Sequence, residues 1–372
     1  MKILIIGSGI SGLTSAIKLK RENNDNDITI IEHLNKPFKK ILATGNGKCN
    51  ITNNNIDFSL YNDPIFAKQI MGENYYQKII NFLDSINIKT KNVKDLIYPI
   101  TESSETIYQA FLEEIHNLKI KIHLNEDFLD YHLINNKIEV ITSLNKYIVD
   151  RLIISSGGKS SPQLGTNGNV LNILKNHKYK IEPFKQGLCP IRIKENVKDL
   201  EGLRVKGNVN LYMDDNLIHN EDGEILFKKD GLSGIVIFNI SSIIARNKNH
   251  KYKIVIDTLK DINKEELIKD KHNLQKNVFL NKYAHPLLKN YIIKNNISLI
   301  DGLTKLTFTY DESYDFINSQ VSVGGLLKSN LNDDLSSKIE KNVSFTGEIL
   351  NIDGPCGGYN LSFAICSGLI IW

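Results

Sequence analysis

Cysteine is scarce in this chain of 372 residues, with four thiols at Cys49, Cys189, Cys356 and Cys366. None stands in a CxxC or other ligand spacing, which speaks against a zinc site or a paired-thiol redox centre. No metal is expected, and few scattered thiols suit a reducing cytoplasm, the location this reading assigns. Long apolar runs are missing as well. The stretch ILII before Gly7 is too short for a signal-peptide core, and no run approaches the thickness of a bilayer, so no membrane partner is expected. Charge of one sign is missing too. Forty-six Lys and Arg face 42 Asp and Glu, and the net +4 is spread along the chain without a dense basic run. A nucleic-acid partner is therefore not expected. There is no HExxH and no Ser/His/Asp pattern, no internal repeat, and no second GxGxxG following a strand.

What is present begins at once. KILII is a continuous apolar run of the buried parallel-strand type. GSGISG follows, with Gly7, Gly9 and Gly12. Leu13, Ala16, Ile17 and Leu19 then recur at helical spacing, NNDND makes a turn, and ITII forms a second strand ending at Glu32. Each part has a physical use. Gly7 permits the tight exit from the strand, Gly9 lets a pyrophosphate approach the backbone, and Gly12 lets the helix lie close to the strand. The helix N-terminus offers free N–H groups and a positive dipole end to phosphates. Glu32 is placed to accept hydrogen bonds from an adenosine ribose. The plainer alternative is a glycine-rich turn of another α/β fold, with Glu32 merely solvated.

This unit alone does not separate FAD from NAD. The continuation does, because regular βα repeats do not follow. KPFKKILATGNGKCNITNNN has no apolar period, and loops of this length inside a domain are usually functional. FAD is longer than a nucleotide site, so further backbone must cradle it. Gly45, Asn46, Gly47, Lys48, Cys49 and Asn50 are candidates, with Lys48 placed to meet a phosphate or the flavin edge. VDRLIISSGG is a second buried strand ending in Gly157 and Gly158, preceded by a hairpin of KIEVITS and KYIVD. KIKIHLNEDFLDY reads as a strand near the adenine end, with Phe128 at a backbone contact. Near the C-terminus, VSFTGE ends in Gly347 and Glu348, and GPCGGYN opens a buried helix whose first N–H groups, at Gly358, Tyr359 and Asn360, could face a flavin carbonyl. Glu348 could hold ribityl hydroxyls. A glycine-rich loop joining a strand to a core helix is the plainer account.

The middle of the chain changes character twice. Residues 187–258 hold short β-like runs (GLCPIRI, VKGNVNLYMDD, GEILFKK, GIVIFNIS, YKIVIDT) and read as a barrel. Residues 259–303 carry apolar residues at helical spacing with a break near Pro286, giving two or three helices. Residues 304–325 return to strands. The expected division is thus 1–186 and 326–372 for the FAD-binding domain, 187–258 and 304–325 for the inserted barrel, and 259–303 for a helical subdomain. Ser233, Ser322, Gly324 and Gly325 are read as candidates for the substrate side, with ordinary barrel turns as the alternative.

ILATGNGKCNITN, GEILFKKDGLSG and GEILNIDGPCGGYNLSFA together resemble three marker stretches of the aminoacetone oxidase-like family of FAD-dependent oxidoreductases, which includes bile-acid dehydro-reductases. The resemblance spans nearly the whole chain in order. It implies an α/β fold: a Rossmann-type FAD-binding domain of the glutathione-reductase kind, interrupted by an inserted β-barrel and a small helical subdomain. It also implies FAD contacts at Gly7, Ser8, Gly9, Ile10, Ser11, Gly12, Glu32, the 45–50 loop, Gly157, Gly158, Gly347, Glu348, and Gly358 through Leu361. Lys48 departs from the family's usual arginine, Tyr98-Pro99 from Phe-Pro, and Lys228 and Ile235 from threonine and proline. These last two bear on substrate fit.

The expectation is an FAD-dependent oxidoreductase acting on a small organic substrate, either with NAD(P)H as a transient reductant docking on the flavin or as an oxidase passing electrons to dioxygen. An NAD(P)-dependent dehydrogenase and a flavin-carrying RNA-modification protein are the alternatives. Cys49 lacks a partner thiol and reads as a packed residue. His33 reads as exposed, Tyr98 as packing, and Tyr359 as a group that could donate a proton near the ring. No side chain is singled out as the catalytic acid.

Overall fold

Residues Lys2–Ile6 are a strand because every side chain from Ile3 to Ile6 has a buried surface to fill. In the computed structural model, which describes residues 1–247 and 249–371, this strand is the middle of a five-stranded sheet. Asp27–Ile31 and then Lys121–His123 lie on one side, Arg151–Ile154 and then Val343–Phe345 on the other. The neighbouring strands run parallel, with Ile3 opposite Ile28 and Arg151. A parallel sheet covered on both faces needs continuous apolar runs, and the sequence supplies them.

Two helices meet beside this sheet. Ile10–Glu22 turns its apolar stripe inward, with Leu13, Ala16 and Ile17 wholly buried. Burying Leu13 alone is worth about 2 kcal/mol. The C-terminal helix, Tyr359–Ile370, approaches closely enough that a Cβ on Gly368 would lie 2.7 Å from the Ser11 carbonyl oxygen.

The chain divides into two compact units, residues 1–185 with 321–372 and residues 186–320. The second unit holds a closed six-stranded barrel built from Ile191–Ile193, Gly231–Ser233, Asn216–Lys228, Arg204–Met213, Tyr252–Asp257 and Leu306–Ser313, in that spatial order. Three helices, Lys264–Asn273, Lys276–Tyr283 and Pro286–Lys294, occupy the stretch read as helical, and a single further turn, Asp301–Thr304, closes it. Pro286 opens the third, where its missing N–H costs nothing, and the His285 ring caps it by accepting from Leu287 N–H at 3.2 Å.

Two local readings are corrected. GIVIFNIS is not a strand but the start of a helix, Ile235–Arg246. Val236, Ile237, Ile240 and Ile244 are buried and Ile235 is exposed, a spacing of three and four rather than two. β-Branched side chains disguised it. KIKIHLNEDFLDY is not one strand but two. Lys121–His123 belongs to the parallel sheet, and Phe128–Ile134 starts a separate antiparallel sheet with Lys137–Thr142 and Lys146–Val149. The break falls at Asn125, whose φ of 56° takes the chain out of the extended region. Among the described residues no helix is long and apolar enough to cross a membrane, and no three His, Cys, Asp or Glu side chains are grouped to hold a metal ion.

Candidate cofactor-binding site

The turn after the first strand is shaped by where its glycines point. Gly7 has φ 96°, and a Cβ there would lie 2.7 Å from the Ser155 carbonyl oxygen. A Cβ on Gly12 would meet the Gly7 carbonyl oxygen at 2.3 Å and the Ser155 hydroxyl at 2.5 Å. Gly9 is different, since nothing lies within 4 Å of its Cβ position. Gly9 is also the helix N-cap, and no side chain caps it. The first helical hydrogen bond runs from Leu13 N–H to the Gly9 carbonyl at 3.0 Å, so Ile10, Ser11 and Gly12 present N–H groups without a helical acceptor. This is open space at a positive helix end.

Glu32 directly follows the Asp27–Ile31 strand and is nearly buried, at 9% exposure. Its carboxylate accepts from the Ser8 hydroxyl at 2.5 Å, from Ser8 N–H at 3.1 Å and from Leu34 N–H at 3.0 Å. The solvated-glutamate alternative is thereby set aside. Ser8 in turn accepts from Phe38 N–H at 3.1 Å, which fixes where the next loop leaves the sheet. His33, read as exposed, is half-buried with its Nε2 2.6 Å from the Gly165 carbonyl oxygen.

The aperiodic loop is not formless. Lys39–Gly47 coils in 3-10 turns interrupted by left-handed backbone at Gly45 and Asn46, and Gly47 and Cys49 are left-handed as well. A Cβ on Gly45 would lie 2.9 Å from Asn50 N, whereas Gly47, at φ 84°, faces open space. Lys48 turns away: its ammonium pairs with Glu102 at 2.9 Å, and Lys91 pairs with the same carboxylate at 2.6 Å. Those two lysines hold the Glu102 carboxyl down to about 2. Cys49 is fully buried, and burial pushes its thiol up to about 11. A thiol so protonated is a poor nucleophile near neutral pH. The Asn50 amide, with its nitrogen toward the carbonyls, donates to Thr52 at 2.9 Å and Ile97 at 3.3 Å and accepts from Gly358 N–H at 3.1 Å. The loop and the C-terminal helix are thus joined.

At that helix, Gly358 has φ 91° and a Cβ would meet the Thr52 carbonyl carbon at 2.6 Å. Asn360 clamps the preceding turn, accepting from Gly354 N–H at 3.1 Å and donating to its carbonyl at 2.9 Å. The Tyr359 hydroxyl accepts from Asp57 N–H at 3.2 Å, and Leu361 is half-buried against the core. Gly347 sits over the first helix, where a Cβ would lie 2.3 Å from the Ser11 hydroxyl. Gly158 is hemmed in by Ser322, whose hydroxyl would lie 2.3 Å from a Cβ, while Gly157 takes φ 71° beside it. Phe128 opens its antiparallel strand with its ring stacked on Tyr131, 6.2 Å between centroids. Two residues earlier, Glu126 N–H donates to the Glu32 carbonyl at 3.0 Å. Ser233 lies in the barrel unit and Ser322, Gly324 and Gly325 in the sheet unit.

Sequence reasoning missed Lys40 and Ser160. Lys40 Nζ lies 2.9 Å from Glu348 Oε2 and 2.7 Å from the Ser160 hydroxyl. The Glu348 carboxylate, read as a ribityl ligand, is therefore met by protein donors. Nothing in KPFKK distinguishes Lys40 from Lys39. None of the four cysteines forms a disulfide, and burial pushes Cys366 up to about 12.

The geometry fits a dinucleotide: in the sheet-bearing unit the glycines with nothing within 4 Å of their Cβ positions, Gly9 and Gly47, belong to the two stretches read as phosphate turn and flavin cradle. Comparison with known proteins agrees. Residues 1–371 match the family described as HI0933-like protein Rossmann domain. The chain is 28% identical over 398 residues to the 3-dehydro-bile acid delta(4,6)-reductase of Clostridium scindens, covering 99% of this chain and 97% of that protein. It is 24% identical over 392 residues to the ribosomal RNA dihydrouridine synthase of Escherichia coli, covering 97% and 94%. Among solved structures, the open conformation of a flavocytochrome c3 fumarate reductase shares the fold with a TM-score of 0.52 at 12% identity, covering 99% of this chain and 77% of that one.

Proposed function

The chain belongs to the HI0933-like Rossmann family and is an FAD-dependent oxidoreductase, and on that premise we propose that it reduces a polarised carbon–carbon double bond in a small organic substrate. The observation that carries this reading is the whole-length similarity to two proteins whose names both describe saturation of an unsaturated compound. Hydride addition to an alkene needs a neighbouring electron-withdrawing group, so the substrate class is an α,β-unsaturated carbonyl compound. NAD(P)H is the proposed reductant, docking transiently because no second dinucleotide motif follows a strand.

Bound FAD would supply the two-electron chemistry. The chain's own residues hold and orient it. The Gly7–Gly12 turn and the N–H groups of Ile10, Ser11 and Gly12 would take the pyrophosphate. Glu32, with its backbone-anchored carboxylate, would take the adenosine ribose. Gly45–Asn50, Gly157–Gly158, Gly347–Glu348 and Gly358–Leu361 would line the ribityl chain and ring. Cys49 is given no part in electron transfer: its thiol is fully buried, has no paired thiol, and is pushed up by burial.

A second reading has one observation behind it, the dihydrouridine synthase relative, and would make uridine in RNA the substrate. The absence of a dense basic run weighs against it. One experiment separates them. The enzyme is reduced anaerobically with NAD(P)H, then mixed with a steroid enone or with a uridine-containing RNA, and flavin reoxidation is followed at its visible band. Reoxidation by the enone with recovery of the saturated ketone supports the proposal. Reoxidation by RNA alone replaces it with the second reading, and reoxidation by dioxygen alone overturns both.

A further inference from the structure

Four chain segments converge on one carboxylate in the sheet-bearing unit. Glu348 Oε1 accepts from Ser322 N–H at 2.7 Å and from the Ser160 hydroxyl at 2.8 Å. Its Oε2 accepts from Lys40 Nζ at 2.9 Å, and the same ammonium donates to Ser160 at 2.7 Å. Lys40, Ser160 and Glu348 therefore close a triangle, and Ser160 is wholly buried. The triangle lies against the Gly157–Gly158 turn, where a Cβ on Gly158 would sit 3.2 Å from Glu348 Oε1. Ser322 secures the turn from the other side, its hydroxyl accepting from Lys159 N–H at 2.7 Å and Ser160 N–H at 2.9 Å. Lys40 comes from the 39–47 loop, so its one ammonium ties that loop directly to the Ser160 and Glu348 segments, and through Glu348 to Ser322.

We propose that Lys40 is a positioning residue that balances the charge of Glu348 beside the flavin and thereby sets how readily the bound cofactor is reduced. The inference rests on the flavin reading of the preceding subsection. Two-electron reduction of a flavin adds negative charge, and in a partly dry site a nearby fixed charge is felt more strongly than in water. Glu348 is 24% exposed and Lys40 30%, so solvent compensates neither fully. Burial pushes the Glu348 carboxyl up, but Lys40, Ser160 and the Ser322 N–H outweigh it and keep the group ionised. With Lys40 present the pair is neutral. Without it a carboxylate stands alone where negative charge must accumulate.

The two partners therefore predict opposite effects. Lys40→Met leaves an unpaired negative charge and should lower the flavin midpoint potential. Glu348→Gln leaves an unpaired positive charge and should raise it. A tenfold change in the relative affinity for oxidised and reduced FAD corresponds to about 30 mV for a two-electron couple, and shifts of at least that size are expected. Lys40→Arg keeps the charge and should stay near the wild-type potential. The measurement is an anaerobic redox titration of each holoprotein against a dye of known potential, with FAD content recorded alongside. A pair that only fastens the loop would move both variants the same way or not at all, and that result overturns the inference while leaving the flavin site standing. If Glu348→Gln does not fold, Lys40→Met against Lys40→Arg carries the same test, and equal potentials in those two overturn it. Wild-type protein that takes up no FAD would instead refute the flavin reading itself.

Discussion

The phosphate turn and the cradle loop both rely on glycine, but for different reasons. In the turn, Gly7 and Gly12 are hemmed in by backbone and by Ser155, and Gly9 alone faces open space. In the loop, four of the five residues from Gly45 to Cys49 have positive φ, and the open position, Gly47, is itself left-handed. The turn is held by packing against two strands. The loop is held by conformation, by the Asn50 bridge to Gly358 and by the Lys40 contacts. A glycine hemmed in at its Cβ is required by the fold, whereas one that faces open space leaves room for a ligand.

That contrast can be broken most sharply at Gly12. Gly12→Val forces a side chain into the Gly7 carbonyl and should destabilise the apoprotein by about 3 kcal/mol or prevent its folding. Urea unfolding, or soluble yield if none can be purified, reads this out. An unchanged unfolding midpoint would mean the turn is not packed as described. Gly47→Val should behave differently. Left-handed strain at a β-branched residue costs about 1–3 kcal/mol, and it falls on the loop proposed to cradle FAD. Flavin affinity should drop at least tenfold, while the apoprotein loses no more stability than that strain and stays folded. Full flavin retention in that variant would end the cradle assignment.

A third test uses a region that neither loop touches. His177 lies between Asp130 and Glu340, each 2.8 Å from a ring nitrogen, and stacks on Tyr131 at 4.0 Å. Tyr131 and Tyr179 complete the cluster by donating to Glu340. Burial lowers the His177 pKa, but hydrogen bonds and charge from the two carboxylates outweigh it and raise it above 6.5. Asp130 is likewise held below 3.8, its burial outweighed by His177 and the Tyr131 N–H. The His177 contribution is then complete below pH 6.5 and is lost as pH rises through its raised value. The Asp130 contribution is present above pH 3.8 and is lost as pH falls through its depressed one. Thermal unfolding of wild type and His177→Gln should differ most between those limits, and the gap should narrow toward pH 9. A gap independent of pH would mean the ring acts only by its shape.

The smallest effect is expected at Cys49. Cys49→Ser exchanges a buried thiol for a hydroxyl that needs a partner, a cost of about 1 kcal/mol. FAD should bind normally and anaerobic reduction by NAD(P)H should proceed. A variant that holds FAD yet cannot be reduced would give the thiol a chemical role.

Much of this was legible in the sequence wherever one short stretch carries both the pattern and its cause. The run from Lys2 to Glu32 shows strand, turn, helix and strand in register, because burial on both faces writes itself as unbroken apolar residues. The helix at Tyr359–Ile370 was legible for the same reason. GIVIFNIS was not, because a short β-branched run satisfies both periods and only its packing partner decides. The split of KIKIHLNEDFLDY between two sheets depended on a left-handed Asn125 that composition does not announce. Lys40 and Ser160 could not be read at all. Their significance comes from contacts 308 and 188 residues away along the chain, and neither is flanked by a motif. Lys48, which did stand in a motif, turns out to pair with Glu102.

The central claim is that the space over Gly9 is reserved for the pyrophosphate of FAD. Its most direct test is the flavin content of wild type and Gly9→Val purified side by side, with FAD titrated back into each apoprotein. The account predicts a yellow wild type with stoichiometric FAD and a colourless variant that fails to take it up, while the variant apoprotein stays folded with at most a small loss of stability at the helix N-cap, because nothing of the protein lies within 4 Å of the new Cβ. A Gly9→Val protein that keeps its flavin would contradict the claim.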